Sequence, residues 1–157
     1  MSFDETDLRR ANRGGARISA VQIAAVLERR GAIERELGEI APDTSLAAAT
    51  IPWIPLTRLF EAFADIHGVG FSKMTKALHP KRPALIPMLD SVVQEYLGDV
   101  PAGSFAERAA ALVRVYKDDL DRNRAALRGL RNVLTRRGYS VTEVRILDIL
   151  IWSVLAS

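Results

Sequence analysis

Apolar residues recur every three to four positions through most of this chain, and no tract alternates with period two, so the pattern predicts helices throughout. Ser19 is placed to cap a helix over 19–40, with Val21, Ile23, Ala24, Val26 and Leu27 as its apolar stripe and Gly31 and Gly38 as break points. Pro42-Asp43-Thr44-Ser45 reads as a loop in which Ser45 caps a short alanine-rich turn. Pro55 suits the first turn of a helix carrying Leu56, Leu59, Phe60 and Phe63, which should stop at Gly68-Val69-Gly70. A second helix follows over 71–78, then a proline-stiffened basic connector over 79–83. The next helix starts at Pro87 or Asp90 and turns Val92, Val93, Tyr96 and Leu97 inwards. Capping boxes are legible at Ser104–Glu107 and Ser140–Glu143. One long helix or two lie between them, with Gly129 as a weak point and Gly138 as the stop. The final helix is so apolar that it should lie deep in the core. Residues 1–17 are polar and arginine-rich and read as an irregular arm, leaving 18–157 as one compact all-α domain with a helix-hairpin-helix at about 55–79.

Composition narrows the chemistry. The 157 residues suit one domain with a sizeable core. The absence of cysteine excludes disulfides, thiolate zinc sites and iron–sulfur clusters. Two histidines, His67 and His79, offer little to a metal, and the carboxylates of Asp118, Asp119 and Asp121 diverge around a helix, so no metal or other cofactor is expected. Nor is there a Walker lysine motif, a dinucleotide fingerprint or a serine-nucleophile elbow. No secretion signal opens the chain and no tract is long enough to span a bilayer, which leads us to expect a cytoplasmic protein without membrane contact.

The net charge is +3 and the basic residues are unevenly placed. Lys73, Lys76, Lys81 and Arg82 share a short stretch without any acid. Gly68 and Gly70 let a backbone turn approach a partner closely, and the N–H groups of such a turn and of the next helix start face outwards. Gly68, Val69, Gly70, Ser72, Lys73 and Lys76 thus form a candidate phosphate grip, with Lys81 and Arg82 as an exposed clamp beside it. The plain alternative is a turn that only packs two helices and a loop kept soluble by its charges. The arginines from 108 to 137 read mainly as a solvated face. Trp53 and Trp152 read as packing residues, and His79 as a partner for helix-end carbonyls.

Residues 56–97 resemble the core motif of the helix-hairpin-helix DNA glycosylase superfamily. The resemblance rests on Ile66-His67-Gly68-Val69-Gly70, the helix after it, and Ala84-Leu85-Ile86-Pro87-Met88-Leu89-Asp90, with 22 residues from Gly68 to Asp90. The run His79-Pro80-Lys81-Arg82-Pro83-Ala84-Leu85-Ile86-Pro87 is also similar to a signature of a bacterial family of uncharacterised proteins. The glycosylase resemblance implies a hairpin that holds DNA backbone and an Asp90 that stabilises oxocarbenium charge or orients water. Ser72 stands where bifunctional members carry a nucleophilic lysine, and Lys73 lies about 100° further round the helix, so lyase chemistry is not expected. His67 replaces the usual proline, and Val92 stands where histidine is frequent. An aspartate before Ser91-Val92-Val93 is equally an ordinary N-cap. Three functions follow: DNA binding through the hairpin, a monofunctional N-glycosylase using Asp90, or a protein–protein module whose basic loop meets an acidic partner.

Overall fold

The computed structural model describes residues 1–155. Among them all regular structure is helical: α1 (Glu5–Arg13), α2 (Ala20–Leu27), α3 (Arg30–Gly38), α4 (Trp53–Glu61), α5 (Phe71–Leu78), α6 (Ser91–Leu97), α7 (Phe105–Arg122), α8 (Arg124–Arg136) and α9 (Glu143–Leu155). One 3₁₀ turn, His79–Lys81, follows α5. The expected all-α class stands; the expected domain end at 157 lies outside the described residues. Local signals set several ends. Ser19 and Ser104 each close a capping box, with Gln22 and Glu107. Helix α5 begins and ends where its pattern does. Helix α8 ends in a Schellman motif: Gly138, at φ 87°, donates to Thr135 O, and Tyr139 donates to Leu134 O at 2.9 Å.

Helix α4 packs along α7 and against α3, α1 rests on α5, and α9 is flanked by α6 and α8. Leu56, Leu59 and Phe60 of α4 and Ala109, Val113 and Tyr116 of α7 form the centre of the core. Burying each large apolar side chain there contributes about 2 kcal/mol. No helix among the described residues is long and apolar enough to cross a membrane.

Six expectations need correction. Residues 1–17 are not an irregular arm. Asp4 caps α1 through a box with Asp7, and Phe3, Leu8 and Ala11 are buried in the common core, where Phe3 meets the Phe63 ring edge-on at 6.1 Å. Too few apolar residues mark this helix for its polar composition to reveal it. The helix over 19–40 is two, broken at Glu28-Arg29 and not at Gly31, where the Arg29 side chain donates to the carbonyls of Ala62 and Ala64; the second ends at Gly38. Helix α4 ends at Glu61, short of Gly68, and Asp65 takes a left-handed turn at φ 61°. The α7–α8 break falls at Asn123, whose side-chain amide donates to Asp119 O at 2.8 Å, and not at Gly129. Thr142, not Ser140, caps α9: its Oγ1 accepts from Arg145 N at 3.0 Å. Finally, α9 is not deep in the core. Val144, Leu147 and Ile151 are buried, but Ile149, Leu150 and Trp152 are exposed.

Candidate nucleic-acid interface

The loop between α4 and α5 is held from beneath. Ile66 and Val69 are buried anchors, while His67, Gly68 and Gly70 face solvent. Val69 N closes a turn on Ile66 O at 3.0 Å. Gln22 of α2 reaches under the turn: its Nε2 donates to His67 O at 3.5 Å and its Oε1 accepts from Lys73 Nζ at 2.8 Å. Gly68 sits at φ 77°, a conformation that favours glycine, and a Cβ there would displace the end of the Gln22 side chain. Gly70 is different. Its backbone is extended and nothing lies within 4 Å of a Cβ built there, so any side chain would point into open space.

Gly70 is the N-cap of α5 and supplies no side-chain cap. The first helical bond of α5 comes from Met74 N to Gly70 O, so the N–H groups of Phe71, Ser72 and Lys73 have no partner within the helix. They border an open cleft of about 610 Å³ lined by Gly68, Gly70, Phe71, Ser72, Gln94 and Arg108, among others. Arg108, in the first turns of α7, lays its guanidinium 5.3 Å from the centre of the Phe71 ring, which stacks at 4.9 Å on Phe105. Among the described residues Arg108 makes no ion pair, and Asp65 is the one carboxylate lining the cleft. Arg108 was not legible as a site residue, because only the packing of α7 beside the turn brings it there. On α5, Ser72, Lys73 and Lys76 share the side opposite the buried Met74 and Leu78.

The structure takes Lys81 and Arg82 out of this group. The segment is a tight turn, not an exposed extended clamp. Arg82 is 1% exposed; its Nε donates to Ile40 O at 2.9 Å, and its Nη2 to Leu37 O at 2.6 Å, a carbonyl that also accepts from Ile40 N at 3.1 Å. Burial pushes its guanidinium down from its usual range. Lys81 pairs with the buried Asp7 of α1 at 3.0 Å. His79 donates through Nδ1 to Ile86 O at 2.6 Å, a carbonyl beyond the connector and not one at the helix end, and burial lowers its pKa.

Asp90 is the N-cap of α6. Its Oδ1 accepts from Val93 N at 2.9 Å and its Oδ2 from Trp152 Nε1 at 3.0 Å, and it does not line the cleft beside Gly68–Gly70. Trp152 therefore anchors by its indole N–H while its ring stays 44% exposed. Trp53 is half-buried beneath the Arg114 guanidinium, 4.1 Å from its ring centre. One turn before Trp152 lies Asp148, 2% exposed. The Tyr116 hydroxyl sits 2.6 Å from Val144 O and 2.8 Å from Asp148 Oδ1. It has one proton, which the carbonyl can only accept, so the second contact is satisfied when Asp148 brings a proton of its own. Asp148 Oδ2 is buried with no partner, as a neutral carboxyl tolerates and a carboxylate does not. Burial pushes Asp148 up to about 7, against the opposing pull of the Tyr116 hydroxyl when its proton turns to the carboxylate, of Arg145 and of the Met88 backbone N–H. Asp119 is bound to Tyr96 and Arg122, and Asp121 to Lys117 and Arg124.

Residues 12–154 match the model of a family of unknown function (DUF6308), and the chain belongs to that family. No curated protein matches the chain, and no solved structure does.

Proposed function

We propose that this protein binds DNA through the sugar-phosphate backbone, with the α4–α5 unit acting as a helix-hairpin-helix of the glycosylase-like kind. The uncapped start of α5, opening onto a cleft that also holds the unpaired Arg108, is the observation that carries this reading. A phosphate at Gly70 would meet the free N–H groups of Phe71 to Lys73 and the positive end of the helix dipole. Ser72, Lys73, Lys76 and Arg108 add a hydroxyl and three cations around it. Backbone contacts of this kind favour affinity over sequence preference and make binding steeply salt-dependent. Asp90 enters this reading as the cap of α6.

The test is binding of a labelled duplex with an abasic-site analogue across a salt series, for wild type and Gly70→Glu. Gly70 tolerates a side chain in its own fold, so the variant changes only what approaches the turn. The variant should lose about tenfold or more in affinity at low salt, at least ~1.4 kcal/mol. Absence of binding by the wild type at low salt, or equal binding by both proteins, overturns the reading.

A further inference from the structure

A pocket of about 260 Å³ lies where the loop before α4 meets α8 and the start of α9, and it shares no lining residue with the cleft at Gly68–Gly70. Its apolar lining is Ala84, Leu120 and Val144, the last two buried. Its ionisable lining is Asp43 from the loop, Arg131 from α8 and Glu143 from α9. Among the described residues none of these three makes an ion pair, so no nitrogen of Arg131 comes within 4.0 Å of either carboxylate although all three border one space. The walls are held from outside the pocket. Lys117 Nζ donates to Leu46 O and to Ala48 O, both at 2.9 Å, and Arg124 donates to Ala47 O. Leu46 N donates to Ala84 O at 2.8 Å, and Thr142 Oγ1 to Pro83 O at 3.1 Å. The loop, the segment after the connector and the start of α9 are thus tied together before anything enters, which lowers the cost of binding there.

We propose that this pocket binds a small zwitterion, a free α-amino acid with an aliphatic side chain. The lining charges choose the class. A ligand with a positive charge alone suits Asp43 and Glu143 but faces Arg131, and a ligand with a negative charge alone faces two carboxylates. A molecule that carries both an ammonium and a carboxylate answers all three. Its ammonium is shared by Asp43 and Glu143, and its carboxylate meets the planar guanidinium of Arg131, whose donors match it. The side chain is left for Ala84, Leu120 and Val144, where an aliphatic group gains by leaving water. The volume lies below the roughly 300–1,000 Å³ of pockets for drug-sized ligands, which suits a single amino acid. A peptide would bring its two end charges too far apart for one pocket.

The probes are L-alanine, L-valine and L-leucine, with valinamide and N-acetylvaline, each of which lacks one of the two charges. They are titrated into the full chain and followed by backbone-amide chemical shifts. The amino acids should shift the amides of Ala47, Ala84 and Val144, and each of the two valine derivatives should bind at least about tenfold more weakly than valine. Arg131→Gln should weaken valine about tenfold and Asp43→Asn about threefold, with far-UV circular dichroism unchanged because both side chains are exposed. Arg128→Gln, on the same helix but outside the pocket, should leave the affinity as it is. Absence of any shift at these amides with about 10 mM of all three amino acids overturns the proposal. Equal binding of valinamide would make this an amine site and equal binding of N-acetylvaline an anion site, and either overturns it. Unchanged affinity for valine in Arg131→Gln overturns it as well.

Discussion

The two basic segments of this chain, 73–82 and 124–137, differ in how many of their cations the fold itself uses. The first is short, lies beside a glycine turn and contains no acid, so it reads as a polyanion clamp. In the fold two of its four cations are consumed by the protein, Lys81 by Asp7 and Arg82 by the carbonyls of Leu37 and Ile40, while Lys73 bonds only the neutral amide of Gln22. The second reads as a solvated face, and it is where exposed arginines outnumber their partners. The difference lies in what each segment packs against. A turn that follows α5 is pressed against the end of α3 and against α1, where the Ile40 carbonyl and the buried carboxylate of Asp7 demand donors. Helix α8 lies at the edge, with Leu127 buried and Leu134 half-buried on its inner side, so its arginines meet water.

The sharpest test of this contrast is Arg82→Met. The methionine keeps much of the volume but strands the Ile40 carbonyl and takes the second donor from Leu37 O, so the variant should lose about 3 kcal/mol. Urea unfolding measures it. A loss below about 1 kcal/mol would mean that Arg82 leaves its carbonyls at little cost and could serve a ligand after all.

Asp148 shows the opposite outcome for a buried charge. Arg82 stays charged because carbonyls answer it, whereas Asp148 has one oxygen without a hydrogen bond and, below about pH 7, keeps its proton. The sign of the pH effect follows. Its folded pKa, about 7, lies above the ordinary aspartate value. The stabilisation is therefore complete below about pH 4 and is lost as the pH rises through about 7, where the folded state must release the proton too. The total is on the order of 4 kcal/mol. Asp148→Asn cannot titrate. Unfolding free energies at pH 5 and pH 8 should fall by about 2 kcal/mol more in wild type than in the variant, since all other groups titrate in both. Equal losses would show that Asp148 is ionised in the folded protein and that a donor reaches Oδ2.

What was legible in the sequence was local. The caps at Ser19 and Ser104, the bounds of α5 and the stop at Gly138 each depend on residues within one turn of one another. Asp90 was legible as a cap for the same reason. The helix over 5–13 was hidden, because Phe3 and Leu8 are buried by partners elsewhere in the chain and not by a stripe of their own. Arg108 and Arg82 went astray in opposite directions for a single reason. Arg108 reaches the cleft and Arg82 reaches α3 only through long-range packing, and one lies 38 residues from Gly70 while the other lies 42 from Ile40. Charge counted along the chain cannot show which cations the fold itself consumes.

The smallest expected effect completes the contrast from the α8 side. Arg128 is exposed in the middle of α8, away from both helix ends, and makes no ion pair among the described residues. Glutamine matches arginine closely in helix propensity, so Arg128→Gln should change the unfolding free energy by less than about 0.5 kcal/mol. Arg131 is a poorer choice, because it lines a cavity with Asp43 and Glu143 and so has carboxylates in its surroundings. A loss above about 1 kcal/mol in Arg128→Gln would mean that the α8 arginines support the fold through their summed field, as the buried cations do through contacts. The two segments would then differ in mechanism but not in role. A negligible loss would show that the fold makes no use of the Arg128 charge, in contrast to Arg82.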